Sequence, residues 1–152
     1  MRSILLIAAL ALVPLVPAAG RAQAALDRQV VVEQLGEASR GAAGQGYREE
    51  PRVFDSRSVV GMLPRGGQVV LEANLRAGER YTVVAVCDEE CGDLDLRAHA
   101  PGGQEVLDED VSTDNVPILT FTAETTGPHP ISVIMSACSA ERCYFGLKVL
   151  SQ

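Results

Sequence analysis

Tryptophan is absent from the 152 residues, and three tyrosines with three phenylalanines make up the whole aromatic complement. A core built from such a chain is thin and gains from covalent staples. Lysine occurs once, at Lys148, and basic residues are outnumbered 13 to 20 by acidic ones, for a net charge of −7. That balance excludes nucleic acid as a partner, because binding it needs a positive surface that displaces counterions. Anionic membrane surfaces are disfavoured for the same reason. Histidine occurs only at His99 and His129, so any catalytic triad must use one of them. No G-x-S-x-G motif is present. His129 lies between two prolines and reads as a turn, and His99 ends a strand before Pro101. Paired carboxylates of the glycosidase kind stay open because acids are plentiful, but the aromatic platform for a sugar is missing. The chain therefore reads as a non-enzyme.

The N-terminus reads as an export signal. Arg2 supplies the positive start, Ile4 to Val13 form an apolar run, and Pro14 and Pro17 break it. Ala22-Gln23-Ala24 has the A-x-A form of a signal-peptidase site, which places the cut before Ala25. A membrane anchor is excluded on length, since a span needs about 20 unbroken apolar residues. No cysteine follows the site, so no lipid attachment is expected. Cleavage removes two basic residues and no acidic ones, which leaves the mature chain still more acidic. The expected location is periplasmic or secreted, with no membrane span after cleavage.

Residues 25–52 read as a short helix followed by a Gly-rich linker. Asp27 is placed to cap a helix whose Val31, Leu35 and Ala38 fall at helical spacing, and Gly41 to end it. Gly41, Gly44, Gly46 and Pro51 mark the linker. A frayed leader is the competing reading, because an isolated helix of this length is marginal in water.

From residue 53 to the end the apolar residues alternate with period two. Val69, Leu71, Ala73 and Leu75 share a face, as do Leu94, Leu96 and Ala98, then Leu119, Phe121 and Ala123, then Phe145, Leu147 and Val149. Turn signals such as Arg65-Gly66-Gly67 and Pro101-Gly102-Gly103 separate the runs. With short strands near Val59 and Val106 the count reaches about eight. This pattern predicts an all-β, jelly-roll-like antiparallel sandwich in which each strand has one buried and one wet face.

Cys87, Cys91, Cys138 and Cys143 fall at strand ends. An even count in an exported chain reads as two disulfides. The nearest-neighbour pairing staples two tight turns, crossed pairings tie distant parts, and spacing alone leaves the three connectivities open. Zinc is the functional alternative, but C-x3-C and C-x4-C are not the usual knuckle spacings. Acidic residues cluster at Asp88, Glu89, Glu90, Asp93 and Asp95, and again at Asp108, Glu109, Asp110 and Asp114. Asp88, Glu90, Asp93 and Asp95 are the candidate calcium ligands, since calcium takes 6–8 oxygens. Against that, Asp93 and Asp95 stand roughly 7 Å apart along a strand, no D-x-D-x-D-G loop is present, and a solvated face balanced by Arg97 explains the charges equally simply.

The strand segment from Val59 to Leu150 resembles the bacterial pre-peptidase C-terminal domain, a β-sandwich module of secreted proteases and other exported proteins. The likeness rests on Leu75-Arg76-Ala77-Gly78-Glu79-Arg80-Tyr81, on Asp93-Leu94-Asp95-Leu96, on Pro101-Gly102-Gly103, and on Phe121-Thr122-Ala123 leading to Thr126-Gly127. The chain departs from the pattern at Gly127-Pro128-His129-Pro130, where two prolines are expected to delay the strand. The cysteine pairs are also not a general feature of the family. No peptidase domain precedes the module, so the resemblance implies a fold and an accessory or binding character rather than an activity. It also raises calcium as a ligand, because related sandwich modules of collagenases bind it. The resulting expectation is a non-catalytic exported module that binds a protein or glycan in the cell envelope or outside the cell. The alternative is an inhibitor or folding partner of a secreted peptidase, acting through a rigid loop such as Ser139-Ala140-Glu141-Arg142. A small hydrolase is the remote alternative.

Overall fold

The computed structural model describes residues 18–50, 53–54 and 58–152. Most of the expected export signal, residues 1–17, lies outside the described residues. Among those described, one helix, α1 (Ala18–Ala43), precedes nine strands. They are β1 (Arg48–Glu49), β2 (Val59–Leu63), β3 (Gln68–Leu75), β4 (Arg80–Cys87), β5 (Cys91–His99), β6 (Val106–Asp110), β7 (Ile118–Thr122), β8 (Gly127–Cys138) and β9 (Cys143–Ser151). No described helix is long and apolar enough to cross a membrane.

The strands form two antiparallel sheets. Sheet A has the order β1-β9-β4-β7, with β2 also on β9, and sheet B has the order β3-β8-β5-β6. Setting β1 aside, successive strands alternate between the sheets except at the β5–β6 pair, the jelly-roll arrangement expected from the sequence. The period-two pattern is the cause. Ala73, Leu75, Leu94, Leu96, Ala98, Ile131, Val133 and Met135 of sheet B are buried. They belong to one core with Tyr81, Val83, Ala85, Leu119, Phe121, Phe145, Leu147 and Val149 of sheet A. The turn that carries part of the family resemblance is structural. Gly78 has φ +83°, a conformation suited to glycine, and the Arg76 amide donates to the Tyr81 hydroxyl at 2.9 Å.

One expectation fails on β4, where Tyr81 to Cys87 are buried on both faces rather than on one. The cause is α1, which packs Val31 and Leu35 against Val86 on the outer face of sheet A. The approach is close because β9 has glycine there. A Cβ on Gly146 would stand 2.5 Å from both Leu35 Cδ1 and Val31 Cγ1. Lys148, the one lysine, fixes the far end of the helix by donating to Ser39 Oγ at 2.8 Å and Glu49 Oε1 at 2.7 Å.

The helix also runs past Gly41. It stops where Gly46, at φ +89°, lets the Gly46 amide reach the Ala43 carbonyl and the Tyr47 amide reach the Ala42 carbonyl. That pair of bonds is a Schellman ending. At its start the helix includes Ala22-Gln23-Ala24, the expected cleavage site, and Asp27 lies within it, accepting from Gln23 Nε2 at 2.6 Å. The stretch expected as a linker supplies β1, whose Arg48 and Glu49 pair with Ser151 and Leu150.

The disulfides are Cys87–Cys91 and Cys138–Cys143, each with a Cα–Cα distance of 5.9 Å. They do not close hairpins within one sheet. Cys87 ends a strand of sheet A and Cys91 begins one of sheet B; Cys138 and Cys143 make the return crossing. Each bridge therefore ties the two sheets together. Cys91 and Cys138 are also register partners across β5 and β8, so both staples sit side by side at one end of the sandwich.

Candidate functional site

The acidic residues expected to gather around calcium have separate structural tasks. Asp88, in the corner between β4 and β5, is almost wholly buried. Its Oδ2 accepts the Tyr144 amide at 2.6 Å, and its carbonyl accepts the Cys91 amide. Burial pushes its carboxyl above the usual carboxylate range; the Tyr144 amide opposes that, while Glu90 and Asp27 add repulsion. Asp88 thus faces the helix side of the molecule. Asp95 lies on the outer face of sheet B, where its carboxylate accepts Ser136 Oγ at 2.5 Å. Loss of hydration, with Asp95 as a neighbouring charge, also raises the Asp93 carboxyl. Glu90 contributes its carbonyl, which receives both the amide and the hydroxyl of Ser139. The four residues are divided between two sides of the sandwich. Among the described residues no group of three or more His, Cys, Asp or Glu is placed to hold a metal ion. Arg97, expected to balance charge on this face, pairs with Glu109 at 3.0 Å.

The second acidic group closes an edge. β6 borders sheet B and β7 borders sheet A, so each would leave backbone groups unpaired. Asp110 Oδ2 accepts the Ile118 amide at 3.0 Å, and Asp108 Oδ2 accepts the Thr120 amide at 2.7 Å. Two carboxylates thereby replace a missing strand. The Ile118 amide is the main reason the Asp110 carboxyl lies below its ordinary range. Asp114 does similar work in the following loop, where it accepts the Val116 amide.

The histidines stand on opposite faces of sheet B. His129 is in a strand rather than a turn; it is buried, with Nδ1 3.0 Å from the Gly127 carbonyl oxygen. His99 lies at the end of β5, and its buried Nδ1 has no hydrogen-bond partner among the described residues. Hydrogen bonding by that ring to any visitor therefore falls to Nε2.

His99 borders a shallow groove of about 610 Å³ that sequence reasoning did not find. Its origin is the pair of prolines. β8 is not delayed by them: it pairs with β3 from Gly127 onward, with Asn74 opposite Pro128 and Glu72 opposite Pro130. On its other side, pairing with β5 ends at Ala98 and Ile131. Proline has no N–H to give to a ladder, so a strand that must run alone on one edge tolerates it there. A register shift between Ala98 and His99 turns the tail of β5 aside. The gap is floored by Pro128 and Pro130 and flanked by Val70, Glu72, His99 and the Gly102-Gly103 turn. Val70 is half exposed. The prolines were visible in the sequence; which neighbouring strand leaves them unpaired was not.

At the opposite, stapled end, Arg65, Glu89, Glu90 and Ser139 line a smaller hollow of about 380 Å³. Ser139 to Arg142 are all exposed there, held between Cys138 and Cys143 and by the Ser139–Glu90 bonds.

No protein-family model and no curated protein matches the chain. Among solved structures it is similar to the pre-peptidase C-terminal domain of a collagenase from Bacillus anthracis, with 16% identity, a TM-score of 0.49, and coverage of 60% of this chain and 86% of that one. It is also similar to a periplasmic inhibitor of g-type lysozyme from Aeromonas hydrophila, with 15% identity, a TM-score of 0.47, and coverage of 62% and 84%. A carbohydrate-binding module of a Cellvibrio mixtus lichenase aligns with 11% identity, a TM-score of 0.39, and coverage of 66% and 93%.

Proposed function

We propose that this chain is a non-catalytic, exported binding module of the pre-peptidase C-terminal kind, and that it binds through the outer face of sheet B. One observation carries the reading. The outer face of sheet A is occupied by α1, whereas among the described residues that of sheet B carries no helix and holds the proline-floored groove. A pre-formed hollow on a frame stapled by two disulfides binds at low entropic cost. Oxidised cysteines suit an oxidising compartment, and an A-x-A leader supports export. The non-catalytic part rests on the histidines, one used inside the sheet and the other with no described protein group bonded to its Nδ1. The partner class is a protein or glycan of the cell envelope or the exterior.

A second reading is favoured by the exposed loop Ser139–Arg142, fixed at both ends. A loop of that form suits insertion into the cleft of a secreted peptidase. Both readings are tested by capture from the native envelope with three baits: the mature chain, Val70→Lys and Arg142→Ala. Loss of the captured partner with Val70→Lys alone supports the sheet B face. Loss with Arg142→Ala alone, together with inhibition of a peptidase, replaces it with the inhibitor. Capture that neither substitution changes removes both.

A further inference from the structure

The groove at the end of β5 and β8 has a chemical bias that narrows its ligand, and the inference rests on the binding face proposed above. Among the described residues its one formal charge is negative: Glu72 flanks the floor on the β3 side, and no described lysine or arginine lines it. Arg97, the register partner of the lining residue Ser132, is already paired with Glu109. Beyond the turn 100–105, Glu105 and Glu124 border a second hollow of about 200 Å³, also without a described lysine or arginine in its lining. The whole chain carries a net charge of −7.

Glu72 is the register partner of Pro130, and His99 follows the residue paired with Ile131. Glu72 and His99 therefore stand on either side of Pro130, about two strand spacings or ~10 Å apart at the backbone. Between them lie flat pyrrolidine surfaces instead of hydrogen-bonding backbone. This is a shallow seat for a planar cation: an apolar proline floor beneath its plane, with Glu72 on one flank and His99 on the other. A guanidinium meets those requirements better than an ammonium, because it is planar, more weakly hydrated and stacks on flat neighbours.

We propose that the Pro128–Pro130 groove is a guanidinium-binding site, which receives an arginine side chain of a partner protein between Glu72 and His99. The arginine pairs with Glu72, lies over Pro130, and is bordered by the His99 ring and the exposed Val70 side chain.

The test is a titration of the disulfide-intact mature chain with argininamide, lysinamide and citrullinamide, followed by the His99 ring and Val70 methyl resonances. Both should shift saturably with argininamide. Citrullinamide, which has the same shape without the charge, should bind at least about fivefold more weakly, the scale of one exposed ion pair. Glu72→Gln should impose a similar loss on argininamide, and added salt should weaken binding. Equal binding of citrullinamide, equal binding of lysinamide, or an unchanged affinity in Glu72→Gln would overturn the guanidinium assignment while leaving the groove as a binding face. Absence of any shift in His99 and Val70 with all three amides also overturns it. The wider reading of sheet B then stands or falls on the Val70→Lys capture.

Discussion

The carboxylate seal between β6 and β7 can be opened without touching the core. Asp108 and Asp110 each accept one β7 amide, at 2.7 and 3.0 Å. Each also accepts an amide near its own strand, from Glu109 and Ser112. A hydrogen bond to a charged group contributes about 1.5–3 kcal/mol. Both carboxylates are half-buried, and water screens part of that, so about 1–2 kcal/mol each is the working figure. The sites are adjacent and share an edge, so their effects are not independent. The double substitution Asp108→Ala/Asp110→Ala should cost about 2–3 kcal/mol, and lower the melting temperature by about 6–15 °C for a chain of this size. Amide exchange at Ile118 and Thr120 should accelerate well before exchange in β4 or β9. The pH dependence has a definite sign. The Asp110 carboxyl is held below its ordinary value by the Ile118 amide. Its stabilisation is therefore complete above the unfolded value of about 3.9 and is lost as pH falls through the lower folded value. Asp110→Asn should flatten that acid limb. A double variant that melts within about 1 °C of the parent at neutral pH, or unprotected Ile118 and Thr120 amides in the parent, would refute the reasoning.

Three further outcomes are expected. Gly146→Val should release α1 while the sandwich stays folded, because the new side chain would occupy the space of Val31 and Leu35; limited proteolysis between 25 and 43 should become fast, with near-native strand content by circular dichroism. Asp88 is held above the ordinary carboxylate range by burial, so its charge penalty applies above its folded value and is relieved as pH falls through it; urea melts should show stability rising as pH falls through that value toward the ordinary carboxylate range, and Asp88→Asn should remove the rise, whereas a pH-independent difference between the two proteins would contradict it. Replacing Cys87 and Cys91 by serine should cost about 2 kcal/mol from the short closed loop, and replacing Cys138 and Cys143 about the same, measured by denaturant unfolding.

The layered architecture was readable because burial repeats every second residue: Leu94, Leu96 and Ala98 announce a strand with one inner face whatever its partners. Val31 and Leu35 announced a helix, but not that β4 would lose its wet face beneath it. That depends on Gly146, more than a hundred residues away. Gly41 misled because a glycine inside a helix costs only about 1 kcal/mol, whereas Gly46 provides the left-handed turn that ends one. Asp108 and Asp110 read only as part of an acidic cluster, because nothing local shows that an edge strand will pass within 3.0 Å. Sulfur spacing allowed tight closures without choosing them, and only the strand order reveals that they pass from one sheet to the other. The groove was illegible for a related reason. Prolines signal a missing donor, and which neighbour goes without it is set by long-range pairing.

The placement of both bridges at one end gives the molecule the mechanics of a bound book. The covers are the two sheets and the spine is sulfur, so any breathing must widen toward the fore-edge, where Pro128 and Pro130 lie. A partner bound there would rest on one cover, at the edge farthest from the spine. Reducing the spine would loosen the leaves without first disturbing the page that the partner reads.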